Sequence, residues 1–264
     1  MRQPVRDEPR RGIPLRALVP NAVTALALCS GLTGVRFAIE GNWERALFFV
    51  IVAAVLDGMD GRIARMLKGQ SRFGAELDSL SDVIAFGVSP AVIIYLWSLQ
   101  QFPRYGWIFA LAHAVCAALR LARFNANIDA EEQPHKSAGF FTGVPAPAGA
   151  GLALLPIYLW LWTENETFRE FWLVAPWAAI VAVLMISNVA TFSWTSFRLR
   201  SHVRFWMIGV IALVGGALFS APWPTLSVIA LIYALSIPFS SASYARVRRQ
   251  RRAAAARRRA PDAT

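Results

Sequence analysis

Four aspartates stand where two long apolar runs of the chain meet. Asp57 and Asp60 end one apolar run, and Asp78 and Asp82 begin the next. Residues three or four positions apart share one face of a helix, so each pair presents its two carboxylates to the same side. Ionised carboxylates in or beside membrane-spanning helices are energetically costly and by default indicate a functional site. If the two helices form an antiparallel hairpin, we expect all four carboxylates at one membrane depth.

The spacing of these aspartates predicts a metal site that acts on phosphate. Four carboxylates in one small space repel one another unless they are neutralised. Mg²⁺ prefers carboxylate and phosphate oxygens as ligands, and two metal ions about 4 Å apart suit displacement at a phosphoryl group. Gly58, Gly61 and Ala64 keep the same face thin, and Arg65 adds a cation suited to phosphate. The alternative, that the Asp-Gly pairs are turns or helix caps, accounts for one or two of the four aspartates.

Composition predicts the elements that hold these aspartates. The chain has 264 residues, of which 56% are hydrophobic, and this is typical of a polytopic membrane protein. We therefore expect an all-α transmembrane helical bundle of about eight spans, since a span needs about 20 apolar residues. The expected spans are 17–39, 43–66, 78–98, 105–124, 144–162, 171–192, 204–220 and 224–243. The bundle, 17–243, is expected to be the catalytic domain, between a basic segment at 1–16 and a basic, partly disordered tail at 244–264.

The net charge of +11 is distributed in a way that favours a membrane rather than nucleic acid as the partner. Basic residues concentrate in alternate loops, so the positive-inside rule predicts that both termini and the aspartates face the cytoplasm. We expect the cytoplasmic (inner) membrane of a bacterium. The tail carries eight arginines between Arg246 and Arg259, without the aromatic or base-reading groups that nucleic-acid binding needs. Contact with anionic lipid, or simple anchoring, is the expected role.

Other polar residues in the apolar segments have a functional and a structural interpretation. Arg120 and Arg123 share one face at the cytoplasmic end of the fourth span, where they could bind a carboxylate or phosphate or extend to the interface. Asn21 and Thr24 share a face near the start of the first span, where they could bind a ligand head group or link helices. His113 is expected to pack in the core.

The pattern Asp57-x2-Asp60-Gly61-x2-Ala64-Arg65-x8-Gly74-x3-Asp78-x3-Asp82 resembles the signature of the CDP-alcohol phosphatidyltransferases at every defined position. The segments 119–125 and 141–147 resemble motifs of the bacterial membrane-embedded phosphatidylserine synthases within that family. The resemblance implies transfer of a phosphatidyl group from CDP-diacylglycerol to L-serine, with release of CMP. Other branches of the family use choline, glycerol 3-phosphate or inositol phosphate as the acceptor.

The resemblance also implies a role for individual residues. The four aspartates are expected to bind two divalent cations, Mg²⁺ or Mn²⁺, and Asp82 is expected to be the general base. The residues expected to contact the CDP part of the donor are Gly61, Arg65, Ser71 and Gly74. The residues expected to bind the acceptor are Arg120, Arg123 and Asn125. The family usually forms homodimers around a six-helix core, so two of the spans would be additions. A cation transporter that uses the aspartates as its ion site is the rival from another class.

Overall fold

The structure is a computed structural model that describes residues 15–126, 140–187, 189–192 and 201–259. It is helical, as the sequence predicts. The helices are α1 (Leu15–Ile39), α2 (Trp43–Met66), α3 (Arg72–Asp82), α4 (Ser89–Trp97), α5 (Gly106–Ala126), α6 (Ala146–Ala153), α7 (Leu155–Thr163), α8 (Phe171–Ile186), α9 (Ser201–Ser220) and α10 (Pro222–Arg259). A π-helical turn, Val83–Val88, joins α3 to α4, so these elements form one bent helix. Short 3₁₀ turns lie at Leu99–Gln101 and Glu166–Arg169.

A short antiparallel pair of strands is the one β-structure in the described part of the chain. It consists of β1 (Phe140–Thr142) and β2 (Ala190–Phe192), with Phe141 opposite Thr191. The pair joins the segment before α6 to the segment after α8. The two strands therefore hold together the two ends of the segment that contains α6, α7 and α8.

Several helices are long and apolar enough to cross a membrane. By length and composition, four described helices qualify: Leu18–Ile39, Arg72–Trp97, Gly106–Ala126 and Pro222–Ser240. The number rises to five if α6 and α7, which are bent by 41° at their junction, form one broken span. Phe171–Ile186 and Trp206–Ser220 are apolar but shorter. The protein is thus a membrane-embedded helical bundle, and the full count of eight spans stays a prediction.

Two boundaries differ from the sequence-based segments for identifiable reasons. The third helix begins at Arg72 rather than 78, because the Ser71 side chain accepts a hydrogen bond from the Gly74 N–H (3.0 Å) and caps it. Asp78 and Asp82 therefore lie inside a helix. The fifth segment breaks at Leu154, just before Pro156, which has no N–H to donate to the carbonyl four residues back and is favoured in the first turn of a helix.

The helices pack around two apolar clusters. The larger cluster includes Leu47, Trp97, Ile157 and Val174, all fully buried. The smaller cluster lies beside the aspartate pairs and is built mostly from alanines with Phe86. Small side chains allow close helix approach, so α2, the turn Val83–Val88, α5 and α6 meet at this cluster. Helix α9 instead exposes large apolar side chains on all sides, as a lipid-facing helix does.

Candidate active site

The hairpin of α2 and α3 brings the two aspartate pairs together, as their spacing predicts. One carboxylate oxygen from each of Asp57, Asp60 and Asp78 lies within 4.8 Å of the others. The donor set consists of carboxylate oxygens only. Like charges at this separation repel strongly, and a hard divalent cation relieves that repulsion while accepting such ligands. The cluster is therefore a site that could hold a metal ion.

Asp82 lies beside this cluster rather than within it. Its carboxyl group lies beside that of Asp57, on the other helix of the hairpin. A carboxylate in this position can accept a proton from a group that enters next to the cluster.

Helix α1 supports the cluster through a buried hydrogen bond. The Thr24 hydroxyl lies 2.6 Å from Asp60 Oδ2, and the side chains of Thr24 and Asp60 are each only 4% exposed. The same hydroxyl is 3.1 Å from the Pro20 carbonyl, but its single proton is expected to go to the shorter, charged acceptor. Ser81 in turn donates to the Thr24 carbonyl at 3.2 Å. Thus α1 contacts both helices of the hairpin.

A cleft of about 310 Å³ opens next to the carboxylates, between α1, α2 and the start of α3. The residues that line it are Pro20, Asn21, Thr24, Asp60, Gly61, Ala64, Arg65, Gly69, Gln70, Ser71, Gly74, Ala75 and Asp78. Every residue expected to contact the CDP part of the donor is among them. The cleft is therefore lined by the cationic Arg65 side chain, by the start of α3 and by two of the clustered carboxylates, Asp60 and Asp78.

The close approach of α1 favours glycine at position 74. A Cβ built on Gly74 would lie 2.7 Å from Asn21 Oδ1 and 3.2 Å from the Ser71 hydroxyl oxygen. A side chain here would therefore require Asn21, which also lines the cleft, to move. Gly61 differs, because the only atom near its hypothetical Cβ is Nη1 of Arg65 at 3.9 Å. The face of α2 at Gly61 is thus open to a ligand.

The three residues expected to bind the acceptor have different surroundings. Arg120 is partly buried and interacts electrostatically with Asp82 and with Tyr233 of α10. Its Nε atom is buried without a hydrogen-bond partner among the described residues. Arg123 instead donates to the Ser187 carbonyl at 3.3 Å, and Asn125 donates to the Ser79 hydroxyl at 2.8 Å. Arg120 is thus within electrostatic range of an aspartate of the site.

From the sequence, Asn21 and Thr24 could either bind a ligand or link helices. In the structure both line the cleft. Their shared helical face was the available signal, but it could not specify that Asp60 and Gly74 lie opposite. The residues 1–14, 127–139 and 193–200 lie outside the described part of the chain, whereas the three residues expected to bind the acceptor lie within it.

An apolar helical bundle with a carboxylate cluster beside an open, cationic cleft is the arrangement of a membrane-embedded phosphoryl-group transferase. The model of the CDP-alcohol phosphatidyltransferase family matches residues 17–194, which include every one of these site residues except Tyr233. The chain belongs to this family and is a transferase.

Several relatives carry a common description. The chain is 38% identical over 235 residues to the CDP-diacylglycerol–serine O-phosphatidyltransferase of Mycobacterium leprae, covering 89% of this chain and 78% of that protein. It is 37% identical over 231 residues to the protein of that name from Mycobacterium tuberculosis strain H37Rv, covering 88% and 80% of the two chains. It is 32% identical over 220 residues to the one from Helicobacter pylori strain 26695, covering 82% and 87%.

Proposed function

We propose that the chain is a CDP-diacylglycerol–serine O-phosphatidyltransferase. It transfers the phosphatidyl group of CDP-diacylglycerol to the hydroxyl of L-serine and releases CMP. The observation that carries the proposal is the meeting of Asp57, Asp60 and Asp78 within 4.8 Å, beside a cleft that two of them line. The descriptions of the mycobacterial and Helicobacter relatives support serine as the acceptor.

The CDP part of the donor is assigned to the cleft. Arg65 is positioned to pair with the pyrophosphate, since a guanidinium offers a planar set of donors that matches phosphate oxygens. Gly61 and Gly74 leave room for the nucleotide where side chains would fill the cleft. Ser71 caps the start of α3, and the positive end of a helix dipole favours an anion there.

The carboxylates are assigned to hold a pair of divalent cations, Mg²⁺ or Mn²⁺. Asp57, Asp60 and Asp78 offer the ligand atoms, and Asp82 would complete the second position. When bound, the ions stabilise the negative charge that develops on the transferred phosphoryl group and on the CMP leaving group. The Thr24 hydroxyl holds the Asp60 carboxylate in one orientation, as an outer-shell partner does for a ligating carboxylate.

Asp82 is assigned as the general base. As the serine hydroxyl oxygen forms its bond to the phosphatidyl phosphorus, the bond from that phosphorus to the CMP oxygen breaks and its electron pair leaves with CMP. The serine hydroxyl proton passes to the Asp82 carboxylate. Its position supports this role, because Asp82 lies next to Asp57 at the edge of the carboxylate cluster.

Arg120 is assigned to the carboxylate of serine. It lies near Asp82 and has a buried nitrogen without a hydrogen-bond partner among the described residues, as expected of a cation that pairs with a ligand. Arg123 and Asn125 complete the acceptor region through their links to Ser187 and Ser79. These links fix the end of α5 against α3 and α8.

The membrane arrangement follows from the charges. The basic loops favour the inner membrane, with about eight spans, both termini in the cytoplasm and the active site on the cytoplasmic side. The arginines of the tail, which begins within α10, are assigned to anionic lipid head groups. A homodimer is the expected assembly.

The test is release of CMP by the purified protein given CDP-diacylglycerol and Mg²⁺ or Mn²⁺. L-serine, choline, glycerol 3-phosphate and inositol phosphate are offered singly. Asp82→Asn should lower the rate by at least about 100-fold, as loss of a general base does. Glu76→Gln is the matched control, because Glu76 is an exposed acid on the same helix and does not line the cleft.

Each outcome has a definite meaning. Release with serine alone, lost in Asp82→Asn and kept in Glu76→Gln, would support the proposal. Release with a different acceptor would retain the family chemistry and refute serine. No release with any acceptor, from protein shown to be folded, would refute the catalytic assignment of the aspartates.

A further inference from the structure

We infer that His113, a buried histidine of α5, is a positioning residue for the reaction. Its imidazole holds the π-helical turn Val83–Val88, and through that turn it fixes the orientation of Asp82 in the active site. The inference rests on the proposed function, because it gives His113 a part in the same reaction. His113 touches neither the cleft nor the aspartates, so it acts only through the turn.

The turn forms because of a proline that follows it. In an α-helix the N–H of each residue donates to the carbonyl four residues back, and Pro90 has no N–H for the Phe86 carbonyl. The proline ring also crowds that carbonyl. The chain instead adopts a wider turn, in which the Ser89 N–H donates to the Ile84 carbonyl five residues back. The local sequence thus leaves the Phe86 carbonyl without its α-helical donor.

His113 supplies the missing donor from the neighbouring helix. Its Nε2 lies 3.3 Å from the Phe86 carbonyl oxygen, and its side chain is 1% exposed. Because a carbonyl only accepts, Nε2 carries the hydrogen, and the unprotonated Nδ1 has no hydrogen-bond partner among the described residues. A buried unsatisfied nitrogen is costly, whereas an apolar side chain would fill the same space without that cost. The imidazole therefore differs from an apolar side chain in one useful respect, which is the hydrogen bond that it donates to the turn.

The turn is packed closely between neighbouring helices, so the main change open to it is a change of its backbone hydrogen-bond register. A Cβ on Gly31 of α1 would lie 2.9 Å from the Cα of Ala85, and a Cβ on Gly87 would lie 3.0 Å from the Cβ of Ala117 on α5. The turn is therefore clamped between two helices. A π turn accommodates one residue more than an α turn, so a change to α-helical register would rotate the preceding residues by about 100° relative to α4. Asp82 immediately precedes the turn and would rotate away from Asp57.

The experiment compares two replacements of similar length that differ in one hydrogen-bond donor. His113→Gln keeps an N–H at about the same reach, and His113→Met removes it. We expect His113→Gln to retain most of the wild-type kcat and His113→Met to lose at least about tenfold, since small displacements of a reacting group cost up to about 100-fold. The KM for CDP-diacylglycerol should stay unchanged in both, because no residue of the turn lines the cleft. All rates are compared with the full-length wild-type protein, using whichever acceptor supports its release of CMP.

A second variant tests whether the donor acts on Phe86. Pro90→Ala restores a backbone N–H for the Phe86 carbonyl and with it the α-helical register, so this variant should itself have a lower kcat than the wild type. Adding His113→Met to it should cause no further change in kcat, because the donor that His113 supplies is then no longer needed. The inference would be refuted if the losses in kcat of the two single variants multiplied in the double variant. It would also be refuted if His113→Gln and His113→Met lost kcat equally, or if His113→Met kept the wild-type kcat. Should His113→Met fail to fold, the double variant decides: folded protein supports the inference, and unfolded protein assigns His113 to core packing alone. A wild-type protein that releases no CMP would instead refute the proposed function.

Discussion

The hydrogen bond between Thr24 and Asp60 allows a quantitative test of the metal site. Thr24→Val keeps the shape of the side chain and removes only the hydroxyl that lies 2.6 Å from Asp60 Oδ2. Because Asp60 is 4% exposed, water cannot replace the lost donor. Leaving a buried acceptor unsatisfied costs about 1–3 kcal/mol.

The same magnitude follows from metal chemistry. Loss of an outer-shell partner typically weakens metal binding about 10- to 100-fold, which corresponds to about 1.4–2.8 kcal/mol. We therefore expect Thr24→Val to bind Mn²⁺ at least about tenfold more weakly than the wild type. Thr24→Ser, which keeps the hydroxyl, should bind nearly as well. Excess metal should restore much of the CMP release by Thr24→Val.

The assay is titration of the detergent-solubilised protein with Mn²⁺, followed by electron paramagnetic resonance of the free ion. Thr33→Val is the matched control: Thr33 lies on the same helix and donates to the Cys29 carbonyl at 2.6 Å, away from the cleft. If Thr24→Val binds Mn²⁺ as tightly as Thr33→Val does, the hydroxyl serves the Pro20 carbonyl instead, and Asp60 does not depend on Thr24.

Three further substitutions separate binding of the donor from binding of the acceptor. Gly74→Ala should raise the KM for CDP-diacylglycerol about tenfold, because its Cβ would lie 2.7 Å from Asn21 Oδ1 and overpacking costs about 1–3 kcal/mol. Gly151→Ala, whose Cβ meets nothing within 4 Å, is its control and should be silent in the same steady-state assay. Arg120→Ala should raise the KM for serine by about 10- to 100-fold, since a hydrogen bond to a charged group contributes about 1.5–3 kcal/mol, and leave the KM for CDP-diacylglycerol unchanged. Arg65→Ala should show the reverse pattern, and equal effects of both arginine variants on both KM values would contradict the assignment.

The aspartate cluster could be predicted from the sequence because it depends on local spacing. Residues at i,i+3 and i,i+4 share a helix face whatever surrounds the helix, and a tight hairpin of two helices brings the faces together. The position of Asp82 depended on more than spacing. It lies on the same face as Asp78, yet it contacts Asp57 and stays outside the closest group of oxygens. That difference arises from the packing of two helices against each other.

Contacts between distant segments could not be predicted for the same reason. Arg120 and Arg123 looked equivalent in the sequence, but one interacts electrostatically with Asp82 and the other donates to the Ser187 carbonyl. The π-helical turn has a local cause in Pro90, although a proline in an apolar run more often signals a kink or a helix start. The donor to this turn, His113, comes from another helix. Its sequence context predicted only core packing, whereas the structure links it to the Phe86 carbonyl.

Among the described residues, those that line the cleft lie between Pro20 and Asp78, whereas Arg120 belongs to a later helix. During synthesis, the segment that forms the proposed donor site therefore leaves the ribosome before the residues proposed to bind the acceptor. On these proposed assignments, substitutions in the later helices would change the choice of alcohol and leave the lining of the donor cleft intact.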